Sequence, residues 1–387
     1  MKRLGLATLA LVLAGGSVAA CDSSESASEA AGPASLGCVR TGGAVAVAVG
    51  NRANNPQPGM PAEVDALARG AAAANQPVSI VRIDGRPAVV EDRVTFASQA
   101  QNDKKRANDL TAWVGSLGTA LDRVRATAPE VDQLTALDVA ARAVGDGGTV
   151  VLLDSGLQTT APLDFRTAGM LDAQPADVVA FLTKADALPD LHGRQVVLIG
   201  TGDTAPPQQQ LDTAARRRLV DLWSAIATAG GASCVQAVTR TVSGSAADGV
   251  PAVSVVPVAA PAAFNPCGQT VLADGGTVGF TPDTANLRDP AAARQTLADL
   301  ATILKDGRQR VDLIGTTAGA GDGMALSRDR AAVVKRELVA LGVPDNRITT
   351  RGVGNKWPSR EPDLAPDGSL LPGPAARNRS VIVQLTC

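Results

Sequence analysis

The chain has 387 residues, 36 basic and 38 acidic side chains, a formal charge of −2, one histidine, no tyrosine and five cysteines, with aromatics at 2%. At about 150 residues per domain this length fits two or three domains, each able to bury a core of its own. Balanced charge and scarce aromatics exclude the basic footprint and stacking platforms of nucleic-acid binding, and a lone histidine, His192, excludes multi-histidine zinc sites.

Met1-Lys2-Arg3 gives a positive start, and Leu4 to Ala14 is a mostly apolar run of 11 residues. That is the length of a signal-peptide core and too short to span a bilayer; no apolar run of about 20 residues follows it. Residues 1–20 are therefore expected to be a signal peptide. Val18-Ala19-Ala20-Cys21 resembles the bacterial lipobox. The resemblance implies cleavage before Cys21 and a diacylglyceryl group on its thiol, with a further acyl chain such as palmitate. Two or more chains anchor stably. The alternative is ordinary cleavage after Ala20, leaving Cys21 a plain thiol. Asp22 to Gly37 holds five serines, Glu25 and Glu29, and no large apolar residue before Leu36. Such a segment buries too little to fold, so residues 21–37 read as a lipidated, disordered tether reaching roughly 20–25 Å. The expected location is the extracytoplasmic face of the cell membrane.

Residues 38–258 alternate strand-like and helical stretches. Ala44 to Val49 is a short strand, and Pro61 to Ala74 a helix with proline in its first turn. Val78 to Ile83 and Ala88 to Phe96, either side of Asp84-Gly85, read as a hairpin. Helices over 102–127 and 131–144 follow. Strands at 149–153, 195–199 and 234–238 enclose helices at about 175–185 and 208–229. This order predicts an α/β fold, a mostly parallel, doubly wound sheet with helices on both faces.

With its hairpin after the first helix, that order resembles the von Willebrand factor A-type domain. The metal site implied by the resemblance needs an Asp-x-Ser-x-Ser loop, so that oxygens surround a hard cation. Gly50-Asn51-Arg52-Ala53-Asn54 stands there instead, and Asp154-Ser155-Gly156 supplies only a second acidic position, so no metal is expected. Gly200 to Thr204 follows a strand but has Pro206-Pro207 where a helix would begin, and reads as a plain loop. His192 has no nucleophile paired to it in sequence. Arg216-Arg217-Arg218 reads as a solvated helix face.

A Pro/Ala-rich stretch, Pro257 to Pro266, supplies a stiff linker at residues 259–266. The second body, residues 267–387, is expected to hold strands at Gly276–Phe280, Arg310–Ile314, Arg347–Gly352 and Ser380–Leu385. A helix spans Pro290 to Lys305. A second ends at Leu341 and is capped by Gly342. A glycine-rich loop runs from Gly315 to Gly323, and a proline-rich one from Trp357 to Pro374.

Five landmarks stand in order here: Ile314-Gly315-Thr316-Thr317, Leu326-Ser327-Arg328-Asp329-Arg330-Ala331, Leu338 through Gly342-Val343, Arg351-Gly352-Val353-Gly354, and Asn378-Arg379-Ser380-Val381. Together they resemble the OmpA-like domain, an α+β fold that binds peptidoglycan. At 100° per residue, Ser327, Ala331, Val334, Leu338 and Leu341 form the apolar stripe of the helix, and Arg330 lies beside it. A part-buried arginine there needs an anionic partner. The resemblance implies that Arg330 takes the diaminopimelate carboxylate of a peptidoglycan stem peptide, with Thr317, Asp322, Ser327, Asn378 and Arg379 around it. Two positions depart from the family. Its aspartate after Thr317, which accepts from the ligand ammonium, is Ala318. Its asparagine is Gly323, one residue after Asp322, in a loop about three residues shorter.

With Cys21 lipidated, Cys38, Cys234, Cys267 and Cys387 remain, an even set in an oxidising compartment with three connectivities open. Cys267 opens the second body and Cys387 ends it, so Cys267–Cys387 is expected, leaving Cys38–Cys234. The leading reading is a non-enzymatic, membrane-anchored lipoprotein without cofactor. Its partners are the membrane, through the anchor, peptidoglycan, and an unknown protein bound by the first body. The alternative is an adhesion or envelope-assembly protein whose OmpA-like domain binds protein.

Overall fold

The computed structural model describes residues 36–387 other than 261 and 320. The expected signal peptide, Cys21 and most of the expected tether lie outside the described residues.

The first sheet has six strands: β1 (Val45–Val49), β2 (Val78–Arg82), β3 (Ala88–Val94), β4 (Thr149–Leu153), β5 (Gln195–Ile199) and β6 (Cys234–Ala237). Their order is β3-β2-β1-β4-β5-β6, parallel throughout except for β3, which runs antiparallel to β2. The alternation Val-Ala-Val-Ala-Val in β1 explains its two-sided burial, because successive side chains point to opposite faces. Val45, Val47 and Val49 pack with α1 (Ala62–Ala73) and α2 (Asp103–Arg123). The smaller Ala46 and Ala48 face a core built with α3 (Gln133–Val144), α4 (Pro175–Lys184) and α5 (Thr213–Ala229). Side-chain caps set three of these helix starts: Asn102, Asp132 and Asp212 each accept a backbone N–H three residues on. The chain order reverses between β1 and β4, so their carboxyl ends flank the crevice where open α/β sheets bind ligands. The von Willebrand A-type likeness rests on this strand order alone.

The second sheet runs β7-β10-β8-β9, from β7 (Gln269–Ala273), β8 (Arg310–Gly315), β9 (Ile348–Gly352) and β10 (Ser380–Thr386). β10 is antiparallel to both neighbours, and β8 is parallel to β9. Helices α6 (Pro290–Asp306) and α7 (Met324–Ala340) supply its core, with Leu297, Leu300, Leu304, Val334 and Leu338 fully buried. The strand expected at Gly276–Phe280 is displaced: β7 lies earlier, the chain turns at Gly275-Gly276, and Phe280 makes only an isolated bridge to Leu287. The expected proline-rich loop also ends in a short helix, α8 (Pro372–Asn378), because proline fits a first helical turn.

Disulfides join Cys38 to Cys234 and Cys267 to Cys387, the expected pairing. The described residues cluster as one compact unit. No helix among them is long and apolar enough to cross a membrane.

Candidate functional site

The site begins with two glycines. A Cβ on Gly315, at the end of β8, would lie 1.8 Å from the carbonyl oxygen of Ser327, and one on Gly352 would lie 2.5 Å from Ser327 Oγ. Only glycine lets the first turn of α7 sit this close to both strand ends. Ser327 is fully buried; its Oγ donates to the Met324 carbonyl and accepts from Gly354 N–H, each at 3.0 Å. That turn is thereby fixed, and Arg330 follows three residues later on a neighbouring part of the same face.

Arg330 is 2% exposed. Its Nε donates to the Thr284 carbonyl at 3.0 Å, and its guanidinium lies 5.1 Å from the centre of the Phe280 ring, a cation–π contact. No carboxylate of a described residue lies within 4 Å of it. Burial pushes its pKa below the ordinary value; Asp274 and Asp283 pull it back up, while Arg379 and Arg288 push it further down. An arginine nonetheless keeps its proton in a protein. The result is a buried cation with no counter-ion in contact, and its planar fork matches a carboxylate.

Phe280 is held from below by Asp274, itself 1% exposed. Asp274 Oδ1 accepts from Phe280 N–H at 2.9 Å and from Arg288 at 3.3 Å, while Oδ2 accepts from Gln174 Nε2 at 2.9 Å. Phe280, Thr284 and Asp274 escape sequence reasoning, since an expected strand at Gly276–Phe280 conceals the turn that carries them. The Phe280-to-Leu287 spacing is the signal that bears on it, because these two residues close that turn.

The other expected site residues divide. Asp322 is exposed at the start of α7, where its carboxylate accepts from Met324 N–H at 3.3 Å and makes no contact with Arg330. Thr317 is buried beneath Gly323, and its hydroxyl has no partner among the described residues. Asn378 is fully buried and bridges the Glu361 backbone and the Asp363 carboxylate. Asp363 in turn accepts from Gly319 N–H at 3.0 Å, which pins the glycine-rich loop. Of these expected residues Arg379 alone acts on Arg330 electrostatically, and its Nη1 donates to Asp177 of α4 at 2.5 Å.

A second buried arginine stands at the β1/β4 crevice. Arg52 is 1% exposed and grips Asp154 through Nε (3.1 Å) and Nη2 (2.9 Å), with Nη2 also on Ser155 Oγ. Gln133 Nε2 and Gly156 N–H each add a 2.8 Å bond to the same carboxylate. The crevice thus holds its own cation, paired with Asp154 inside the protein. The loop at Gly200 to Thr204 is likewise covered: Asp203 pairs with Arg216 and accepts from Val242 N–H at 2.7 Å. Arg218 pairs with Asp172, so two of the three consecutive arginines bind the protein itself rather than facing solvent. His192 is exposed and contacts Asp190.

Residues 279–366 match the family model described as "OmpA family". Outer membrane protein A of Bordetella avium is 34% identical over 143 residues, which cover 36% of this chain and 66% of that protein. Among solved structures, the periplasmic domain of Helicobacter pylori MotB is 15% identical, with 32% of this chain and 80% of that one covered and a TM-score of 0.26. The peptidoglycan-associated lipoprotein of Burkholderia pseudomallei is 22% identical, with coverage of 30% and 89% and a TM-score of 0.24. The OmpA-like domain of FopA1 from Francisella tularensis is 22% identical, with coverage of 32% and 75% and a TM-score of 0.23.

Proposed function

Since the C-terminal part of this chain is an OmpA-like domain, we propose that it holds peptidoglycan by seating a stem-peptide carboxylate on Arg330. The observation that carries this is the buried guanidinium with no carboxylate of a described residue in contact. Leaving a charge buried without a partner is costly, and an incoming carboxylate forming charge-assisted hydrogen bonds relieves that cost. The chain as a whole is then a non-enzymatic envelope protein. Cys21 anchors it by lipid to the extracytoplasmic face of the cell membrane, residues 21–37 act as tether, and residues 38–258 serve as a protein-binding or scaffolding module.

Retention on purified insoluble peptidoglycan, wild type against Arg330→Ala, tests the site. Wild type is retained, and the variant binds roughly tenfold to a hundredfold more weakly, the weight of one hydrogen-bonded charge pair. Equal retention of both, with unchanged melting, overturns the reading. For the anchor, Cys21→Ser moves the protein from the membrane fraction to the soluble extracytoplasmic fraction.

A second reading is favoured by Ala318, which leaves the glycine-rich loop without the family's carboxylate. On it the domain serves adhesion or envelope assembly and binds protein; negligible retention of the wild type itself selects it.

A further inference from the structure

The carboxyl ends of β1 and β4 hold the Arg52–Asp154 pair, but the opposite end of the same sheet is open. A cleft of about 570 Å³ lies where β1, β4, β5 and β6 begin. That volume falls within the roughly 300–1,000 Å³ of small-molecule sites. Its lining has no large apolar side chain, and Arg40 is its one charged residue.

Arg40 is fixed at its backbone and free at its side chain. Cys38, two residues earlier, is tied to Cys234 of β6. Gln195, buried at the start of β5, accepts from Arg40 N–H at 2.7 Å and donates to the Arg40 carbonyl at 3.2 Å. The residue is otherwise exposed, and its guanidinium meets no carboxylate and no hydrogen-bond acceptor among the described residues. Arg194, by contrast, pairs with Asp146 at 3.3 Å.

The next three residues, Thr41, Gly42 and Gly43, donate no backbone N–H bond to a described residue. Gly42 turns this run with a φ of +97°, a conformation that favours glycine. A Cβ on Gly43 would lie 2.9 Å from the Gly147 carbonyl oxygen, so the run sits directly against the facing wall. Added to Gly147 or Gly193, a Cβ would meet nothing within 4 Å, which leaves bare backbone beside open space. Successive free N–H groups at a turn form an anion-binding concavity, and a guanidinium adds a full charge to it. A tetrahedral phosphate spreads its oxygens in three dimensions and can meet such donors and a planar fork together. The Thr41 and Ser233 hydroxyls, with the glycine backbone, suit a hydroxylated body on that phosphate rather than an apolar one.

We infer that this cleft of the first body is a binding site for a phosphate ester of a small polyol, with Arg40 and the N–H groups of Thr41 to Gly43 as its anion seat. The ester has two sources, a soluble polyol phosphate or the glycerol phosphate headgroup of an anionic membrane lipid. The site stands apart from Arg330 and does not depend on what that residue binds.

The test uses the full chain carrying Cys21→Ser, so that no lipid on residue 21 contributes. Calorimetric titration with glycerol 3-phosphate gives saturable one-to-one binding, and glycerol gives none. Arg40→Gln weakens that binding about tenfold, the weight of one charge-assisted contact, with unchanged melting because the guanidinium holds nothing in the fold. Arg40→Lys keeps the charge without the fork and falls between the two. Lys104→Gln, which removes an exposed cation from α2, binds as the parent does. The same proteins are then sedimented with vesicles of phosphatidylcholine, pure or with one part in three of phosphatidylglycerol. Retention on the anionic vesicles alone, lost in Arg40→Gln, assigns the site to the membrane surface; glycerol phosphate binding without vesicle retention assigns it to a soluble ester. If neither probe shows binding that depends on Arg40, or if Arg40→Gln and Lys104→Gln weaken it equally, the inference falls.

Discussion

The two bodies each bury one arginine almost completely, Arg52 at 1% and Arg330 at 2% exposure, and treat it in opposite ways. Arg52 lies against Asp154 in a bidentate grip and also donates to Ser155 Oγ, and Gln133 and Gly156 donate to the same carboxylate. Among the described residues, Arg330 has one carbonyl, one aromatic ring and no carboxylate. Burial alone therefore does not mark a binding residue. A buried charge whose counter-charge comes from its own chain is structure; the one that meets no carboxylate among the described residues is the one we propose as a ligand seat.

Stability measurements strain this contrast hardest. Arg52→Met strips Asp154 of its cation and leaves a buried carboxylate uncompensated, at a cost of about 3–5 kcal/mol. Arg330→Met leaves no carboxylate stranded, so it changes stability by about 1 kcal/mol or less in either direction while removing peptidoglycan retention. Denaturant unfolding followed by the fluorescence of Trp223, fully buried in the first body, reads the first variant. Loss of second-body structure by circular dichroism reads the second. Comparable losses at the two positions would break the distinction.

Much of the framework behind these sites was open to reading. The Val/Ala alternation of β1, the capping residues Asn102, Asp132 and Asp212, and the Ser327-to-Leu338 stripe of α7 are local patterns, and local patterns survive in sequence. Cysteine position at the two ends of the second body also points to one disulfide. What stayed hidden is long-range or masked by a local rule. Arg52 and Asp154 lie 102 positions apart and Arg379 and Asp177 lie 202 apart, and nothing in a sequence marks such a pair. The strand expected at Gly276–Phe280 lies earlier, as β7, because Gly275-Gly276 turns the chain, and α8 hides behind prolines that read as loop. Arg330 itself was visible as an arginine beside an apolar stripe; its lack of a carboxylate partner was not.

Two strand-end glycines sharpen the same contrast at a smaller scale. A Cβ on Gly50 would meet Asp154 Oδ2 at 1.8 Å, and one on Gly315 would meet the Ser327 carbonyl at the same distance. Gly50→Ala and Gly315→Ala are each expected to cost about 1–3 kcal/mol through forced displacement in a packed core. Their functional effects separate. Gly315→Ala shifts the first turn of α7, hence Arg330, and lowers peptidoglycan retention at temperatures where the fold persists. Gly50→Ala displaces Asp154 from Arg52 and leaves retention unchanged. Retention lowered equally by both would mean that the first body's crevice takes part in wall binding.

The smallest expected effect is a difference in the sign of pH dependence. Asp84, fully buried in the first body, is pulled upward by burial. N–H donors from Thr127, Arg86 and Ala128, together with the Arg82 guanidinium, more than reverse this and hold its pKa below the ordinary 3.8. Its contribution is present above that value and is lost as pH falls through the lower folded pKa. Asp172 packs against Gly275 where the two bodies meet, and burial raises its pKa despite the opposing pull of Arg218. Its folded form holds a proton more tightly, so its contribution is full below 3.8 and is lost as pH rises through the folded value. Acidification toward the ordinary carboxylate range thus first tightens the junction between the bodies and then, further down, loosens the first body. Denaturant midpoints followed from pH 6 to about 3 should show Asp172→Asn flattening the upper part of the profile and Asp84→Asn the lower part. An upper part unchanged by Asp172→Asn would mean that Asp172 adds nothing to the pH dependence of the junction, whose hold then comes from its other contacts, among them Gln174–Asp274, Asp177–Arg379 and Lys184–Asp367.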